Sequence, residues 1–299
     1  MFEDFIGQEK VKEVLKTLIN AAKIRNKACD HFFLGGPAGF GKSKCCKIIA
    51  KELGKNLFSI NCATLRDIKD IRNIINQINF MDIMFLDEIH SMPKKCSEFM
   101  YTVMEDFCYY DTKGRVVNLP EFTIAAASTH AGKISGPMKS RFKFNAEFVE
   151  YTEEELTKVC HLTCQEQGFK LDEDLAMLIA RTCRGVPRLV KARTEWLYNW
   201  MISNNLTKIS SGEVLKIIAL QGYNKDGLEN RDIQYLRELK CGTIGINQLS
   251  SLLNIDQSTI MNDIEPFLIK SRFVEISGSG RSLTRNGFDY IKELDSSTA

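Results

Sequence analysis

The sequence predicts a three-layer α/β domain built on a parallel sheet, followed by a small all-α domain and a C-terminal winged helix. Three observations carry this. Short apolar runs at 31–34, 57–60, 83–86 and 123–127 alternate with helix-period stretches, the pattern of a parallel sheet covered on both faces. Near Tyr151 the texture changes to successive helical periods. After a polar, glycine-bearing stretch at 222–227, three short helical segments lead into two β-like runs. The predicted boundaries are 1–150, 151–222 and 223–299.

Taken in order, residues 8–24 carry Val11, Val14, Leu15, Leu18 and Ala22 at a helical period, and the strand 31–34 leads into a helix over 44–53. The other three apolar runs are the remaining strands. Helices are predicted at 153–167, 172–182, 187–203 and 211–219, opened by capping or acidic residues. Segments 231–239, 246–253 and 257–269 are helical, and runs 273–276 and 281–284, joined by Ser277-Gly278-Ser279-Gly280, form the wing. Residues 295–299 read as a frayed tail.

Composition bounds the function. Of 299 residues, 44% are hydrophobic and 26% charged, which fits a globular protein and excludes disordered or collagen-like chains. No apolar stretch of about 18 residues is present, and the first thirteen residues lack the basic start and apolar run of a secretory signal, so a cytoplasmic protein is expected. Ten cysteines without a Cys-x-x-Cys pair read as free thiols; Cys160, His161 and Cys164 hint at a metal pair but fit small buried hydrophobes better. A net charge of +2 excludes a globally basic nucleic-acid binder. Nucleic-acid contact would need a local patch, and Lys270, Arg272, Arg281 and Arg285, facing only Glu275, supply the candidate.

Gly36-Pro37-Ala38-Gly39-Phe40-Gly41-Lys42-Ser43 matches Gly-x-x-x-x-Gly-Lys-Ser and sits between a predicted strand and helix, the context this phosphate-binding loop requires. Its glycines let backbone N–H groups close around phosphate oxygens, Lys42 neutralises β/γ charge, and Ser43 can ligate Mg²⁺. Asp87 and Glu88 end the 83–86 run, where Asp87 can hold Mg²⁺ through water and Glu88 can polarise an attacking water. That pairing implies hydrolysis; its alternative is an acidic pair capping a helix. His90 reads as a structural or coupling residue.

These residues also carry a resemblance. Asp87-Glu88-Ile89-His90, Phe5-Ile6-Gly7-Gln8, Ala127-Ser128-Thr129-His130-Ala131-Gly132 and Arg184-Gly185-Val186-Pro187-Arg188 resemble the RuvB family, the bacterial Holliday-junction branch-migration motors of the AAA+ class. Gly227-Leu228, Tyr235-Leu236 and Ile264-Glu265-Pro266-Phe267-Leu268 extend it over nearly the whole chain. The resemblance implies an AAA+ P-loop NTPase with a parallel sheet, a small all-α lid and a winged helix, hydrolysing ATP with Mg²⁺. It further implies a hexameric ring on duplex DNA and four-way junctions, with a RuvA-type junction-binding partner and no membrane.

Roles follow from the same resemblance. Gly36, Gly39, Gly41, Lys42, Ser43 and Lys44 cradle the phosphates, Ile6 and Tyr151 flank the adenine, and Pro187 and Arg188 supply sensor 2. Thr129 matches sensor 1 and Arg141 the trans-acting arginine finger, while Arg281, a wing-tip residue, and Arg285 contact DNA. Without the resemblance, Thr129 reads as a strand-end threonine, Tyr151 as an interdomain core residue, and Arg141 and Arg188 as surface salt-bridge residues. Some features depart from the family. The chain begins almost at the Phe5 box, so looser adenine packing is expected; His130 and Lys139 stand where arginines are usual, and Ser91-Met92 replaces an Arg-Leu pair. The stretch 107–122, with Lys113-Gly114 as its turn, is shorter than the family's RuvA-docking hairpin, which puts that partner in doubt. Such departures suit a divergent member, cellular or virus-encoded. A clamp-loader or helicase-loader ATPase and a non-catalytic ATP-holding scaffold remain open alternatives; the wing disfavours the first and Glu88 with Arg141 the second.

Overall fold

Alternation of buried apolar runs with amphipathic helices builds the first of two units, Met1–Leu162 with Val186–Lys191; the computed structural model describes residues 2–297. Its elements are α1 (Glu9–Arg25), β1 (Phe32–Gly35), α2 (Lys42–Leu53), β2 (Leu57–Asn61), α3 (Ile68–Ile75), β3 (Ile83–Asp87) and α4 (Lys94–Asp106). Then follow β4 (Cys108–Tyr110), β5 (Val116–Asn118), β6 (Thr123–Ser128), α5 (Gly136–Lys139), β7 (Phe144–Glu147) and the start of α6 (Glu153–Gln167). The order β2-β3-β6-β1-β7 forms one parallel sheet. Its central strands β1, β3 and β6 run nearly unbroken in apolar residues because both faces are covered. On one face Phe33, Met84, Leu86 and Ile124 pack with Ile71 and Ile75 of α3 and Met100 and Val103 of α4.

Register then sets the position of the chemistry. Gly35 pairs with Ser128 and Leu86 with Ala126, so the carboxyl ends of β1, β3 and β6 are level. Below that edge His31 joins three elements: its Nδ1 accepts from the Ile124 N–H (3.0 Å) and its Nε2 donates to the Met104 carbonyl (3.2 Å). Burial holds this ring neutral, with its pKa pushed down to about 4.

β4 and β5 pair only with each other, antiparallel, as a hairpin beside the sheet. Its turn lies at the predicted Lys113-Gly114, where Gly114 has φ 75° and Asp111 Oδ1 accepts the N–H groups of Lys113 and Arg115.

The second unit comprises Thr163–Gly185 with Ala192–Ala299. It contains α7 (Glu173–Thr182), the larger part of α8 (Pro187–Ser203), α9 (Ser211–Leu220), α10 (Asn230–Glu238), α11 (Ile246–Leu253), α12 (Gln257–Thr259) and α13 (Glu265–Lys270). The wing β8 (Val274–Ser277) and β9 (Gly280–Leu283) and a last helix α14 (Arg285–Ser297) complete it. Tyr235, Leu236, Leu249, Ile264, Val274 and Ile291 belong to one buried core that joins α10 to α14. Arg184 braces the turn after α7: it donates to the Gly227 carbonyl (2.7 Å), pairs with Asp232, and lies over the Phe267 ring (4.6 Å).

The structure corrects three sequence expectations. The segment predicted as one helix over 257–269 is interrupted at Ile260–Ile264 by a wider π turn, because Pro266 has no N–H for the regular ladder. The tail expected to fray from 295 is instead the end of α14, tied down where Asp295 binds Arg237 (3.0 Å) and Lys240 (2.8 Å); residues 298 and 299 lie outside the described residues. A fifth sheet strand, β7, was not anticipated. Among the described residues no helix is long and apolar enough to cross a membrane.

Candidate functional site

The loop between β1 and α2 is shaped by what surrounds it. Gly36 has φ 129°, and a Cβ there would stand 2.9 Å from the Phe148 carbonyl oxygen; Gly41 has φ 99°, and a Cβ would strike the Phe5 ring at the same distance. Only glycine fits either place. Gly39 lies against Val186 and Arg188. Lys42 is buried, its Nζ donating to the carbonyls of Gly36 (2.6 Å) and Pro37 (2.8 Å). Burial lowers its pKa, opposed by the charges of Glu88 and Asp87. Ser43 follows at the start of α2, half-buried, while the Lys44 side chain turns outward to the Asp4 carbonyl (2.9 Å).

The carboxylates stand at the end of β3. Asp87 has its pKa raised by burial and by Glu88, against the pull of its backbone bond to Glu88 N–H and the charges of Lys42 and Arg188. Glu88 occupies the left-handed region at φ 49°, ψ 50°, a posture that costs a non-glycine residue about 1 kcal/mol or more. Thr129, just past β6, donates both its N–H (3.1 Å) and its hydroxyl (3.0 Å) to Glu88 Oε2. His90 Nδ1 lies 3.1 Å from the same oxygen and 2.9 Å from Ser128 Oγ. With the Thr129 proton committed to Glu88, the 3.0 Å contact with His130 Nδ1 makes that nitrogen the donor. No motif announces this chain from His130 through Thr129 to Glu88; the one sign of it in the sequence is that His130 stands where the family usually has arginine.

Three further elements close the site. Arg188, in the first turn of α8, is exposed, and its charge reaches Lys42 and Asp87. Pro187 precedes it, half-buried. In the Phe5 box, Phe5 and Gln8 are buried and Ile6 is half-buried, with Gln8 exchanging two hydrogen bonds with the Val149 backbone (2.6 and 3.0 Å). Tyr151 is 7% exposed, donates to the Phe40 carbonyl (3.0 Å) and lies edge-on to the Phe40 ring, so it braces the phosphate loop. Arg141 lies apart from this cluster: its Nη2 pairs with Glu105 (2.8 Å) and its guanidinium lies over Tyr101 (4.2 Å). Glu105 and Tyr101 carry no motif and were not singled out from sequence.

The winged-helix expectation needs correction. Arg281 is not at the wing tip; it lies on β9, where its backbone exchanges two 2.9 Å hydrogen bonds with Ile244. Its guanidinium, with the side chain 13% exposed, is held by Glu265 at 2.8 and 3.3 Å, and Tyr235 donates to the same carboxylate (3.0 Å). Glu265 lies outside the 270–285 stretch that supplies the basic patch and neutralises Arg281, so the patch loses one cation. Arg285 remains exposed at the start of α14. Cys160 and Cys164 are buried, and among the described residues no cluster of three or more His, Cys, Asp or Glu side chains forms a metal cage.

Known proteins resemble this arrangement over the whole length. Residues 1–148 match the Holliday junction DNA helicase RuvB P-loop domain, and residues 225–292 match the RuvB C-terminal winged helix domain. The Holliday junction branch migration complex subunit RuvB of Wolbachia sp. subsp. Brugia malayi is 33% identical over 298 residues, covering 97% of this chain and 91% of the relative. Its counterpart in Fervidobacterium nodosum is 32% identical over 299 residues, covering 96% and 86%. The solved Thermotoga maritima RuvB Holliday junction branch migration motor superposes with a TM-score of 0.84 at 29% identity, over 96% of this chain and 95% of that one.

Proposed function

This chain belongs to the RuvB family of Holliday junction DNA helicases, and on that premise we propose that it is an ATP-driven hexameric motor that promotes branch migration of four-way junctions in recombination and repair. The observation that carries the reading is the meeting of Glu88 and Thr129 at the sheet edge that also bears Lys42. In the division of labour proposed, residues 1–150 bind and hydrolyse nucleotide, 151–222 form the lid and 223–299 meet DNA.

The phosphate loop suits a triphosphate. Gly36, Gly39 and Gly41 leave room for backbone N–H groups to face phosphate oxygens, and Lys42 exchanges its loop carbonyls for the β/γ-phosphate. Ser43 and Asp87 are hard oxygen donors, the type that would hold Mg²⁺. When bound, the ion neutralises charge on the β- and γ-oxygens. Glu88 orients the attacking water and accepts its proton, and Thr129 fixes which carboxylate oxygen does so. Arg188 reads the γ-phosphate within the subunit, while Arg141 reaches the nucleotide of a neighbour in the ring. Lys44 and Pro187 contribute backbone at the two helix starts, and Ile6 with Tyr151 bounds the adenine pocket.

On the DNA side Arg285 contacts the duplex backbone without reading sequence, as a motor that crosses any sequence requires. The β4–β5 hairpin stands where the family docks RuvA but is shorter, so the need for a RuvA-type partner is what the two arms of the assay decide; the protein works in the cytoplasm.

The test is ATP-dependent dissociation of a synthetic four-way junction, with and without a RuvA-type partner. Product should vanish in Lys42→Ala and Glu88→Gln, the latter losing about 10²–10⁴ in ATP turnover. DNA-stimulated hydrolysis without junction product under either condition would overturn the branch-migration assignment.

A further inference from the structure

The arginine assigned as the finger is not free. Arg141 Nη2 pairs with Glu105 Oε1 at 2.8 Å, Nη1 donates to the Pro137 carbonyl at 2.6 Å, and the guanidinium lies 4.2 Å from the centre of the Tyr101 ring. Tyr101 and Glu105 are four residues apart on α4, hence on one face of that helix, and together they form a cradle with an aromatic wall and an anionic end. The hold is incomplete: Arg141 Nε is buried without a hydrogen-bond partner, an arrangement that favours release into a better set of acceptors. Both ends of the ion pair line an open cleft beside Lys143 and Arg25, and Glu105 is itself more than half exposed. An anion arriving from outside therefore meets the guanidinium and its carboxylate together.

We propose that Glu105 is a positioning residue that holds Arg141 on its own subunit, and that the triphosphate of a neighbouring copy of this chain competes with the Glu105 carboxylate for the same guanidinium edge. This rests on the assignment of Arg141 as a trans-acting finger. Carboxylate and phosphate bind guanidinium through the same forked geometry, so one displaces the other without a new kind of contact. The cradle also has a mechanical address. α4 begins six residues after Glu88 and carries Glu105 in its last turn, so the helix that follows one subunit's catalytic carboxylate ends at the finger meant for the next site.

The experiment measures ATP turnover of the full-length protein against protein concentration, with ATP saturating. Glu105→Gln should lower the concentration giving half-maximal turnover about three- to fivefold, with kcat within twofold of the unmodified chain, the size expected of a partly exposed ion pair. Glu105→Asp should restore most of the original value. In an Arg141→Ala background, where turnover is lost, ring assembly followed by sedimentation against protein concentration in saturating ATP should be unchanged by Glu105→Gln, which separates competition for the finger from an effect on α4 itself. An unchanged or raised half-maximal concentration in Glu105→Gln, with Arg141→Ala still inactive, overturns the cradle and leaves the finger standing. Full turnover in Arg141→Ala overturns both.

Discussion

The sheet edge and the wing both present charged side chains that the sequence brought to notice, and they use them in opposite ways. At the edge, β1, β3 and β6 deliver Lys42, Glu88 and Thr129 to one place through a fixed ladder, and Arg188 stays exposed beside them. In the wing, Arg281 is spent internally on Glu265 and Tyr235, and Arg285 alone of the two candidates faces solvent. The difference concerns how many segments fix a residue's role. Where strands in register deliver several groups, motif spacing is geometry; a lone arginine beside glycines depends on a partner 16 residues back, and the stretch around Glu265 does not say that the two pair.

The most damaging test of this contrast is Arg281→Ala. Removing one member of a buried ion pair strands the other, so the winged helix should lose about 3–5 kcal/mol in urea denaturation. A variant of full stability with weakened DNA binding would restore Arg281 as a contact residue and erase the contrast.

Next in size is an acid effect confined to the first unit. His31 is neutral when folded, with a pKa of about 4 against an ordinary 6.5, so between those values the unfolded chain binds a proton the folded chain does not. Stability from this group is complete above pH 6.5 and declines by about 3 kcal/mol as pH falls through that window to 4. Denaturation midpoints from pH 7 to 4 should show the loss in the first unit's transition, and His31→Gln should flatten it.

Smaller again, Thr129→Val keeps the side chain's shape and removes the hydroxyl that donates to Glu88. A hydrogen bond to a charged group is worth about 1.5–3 kcal/mol, so kcat should fall about ten- to a hundredfold with KM for ATP little changed. An equal rise in KM would mean that Thr129 serves binding and would blur the sheet edge as a chemical unit. Least of all, Arg285→Ala should leave stability within about 0.5 kcal/mol and reduce the salt dependence of duplex binding by about one ion, equally for any sequence.

Legibility followed the same division. The phosphate loop, the acidic pair and four of five sheet strands are readable: β1, β3 and β6 because central parallel strands are apolar on both faces, the edge strand β2 because Leu57, Phe58 and Ile60 still make an apolar run, and the loop because its motif has one structural context. β7 was missed because Phe144-Asn145-Ala146-Glu147 is an edge strand, half exposed, with no apolar run to mark it. α14 was missed because its first turn holds Asn286 and Gly287, both poor helix formers; the glycine is there because a Cβ would come within 2.1 Å of the Phe273 carbonyl oxygen. The ion pairs of Glu105 and Glu265 are illegible for one shared reason: Glu105 carries no motif, Glu265 lies in a family-like stretch that does not name its partner, and each pairs with an arginine distant in sequence.

The β4–β5 hairpin carries a different kind of consequence. Its strands pair with each other and never enter the five-stranded ladder, while Tyr109 anchors its base by donating to Asn76 (2.8 Å) and Asp111 stiffens its tip. Residues can be added or removed near that tip without moving β3 or β6 by a single register step. The hairpin is thus an appendage that can be lengthened, shortened or exchanged while the chemical step stays in place. Sequence drift in the hairpin and drift in the nucleotide site are thereby uncoupled: the one can vary in length while the other keeps its register.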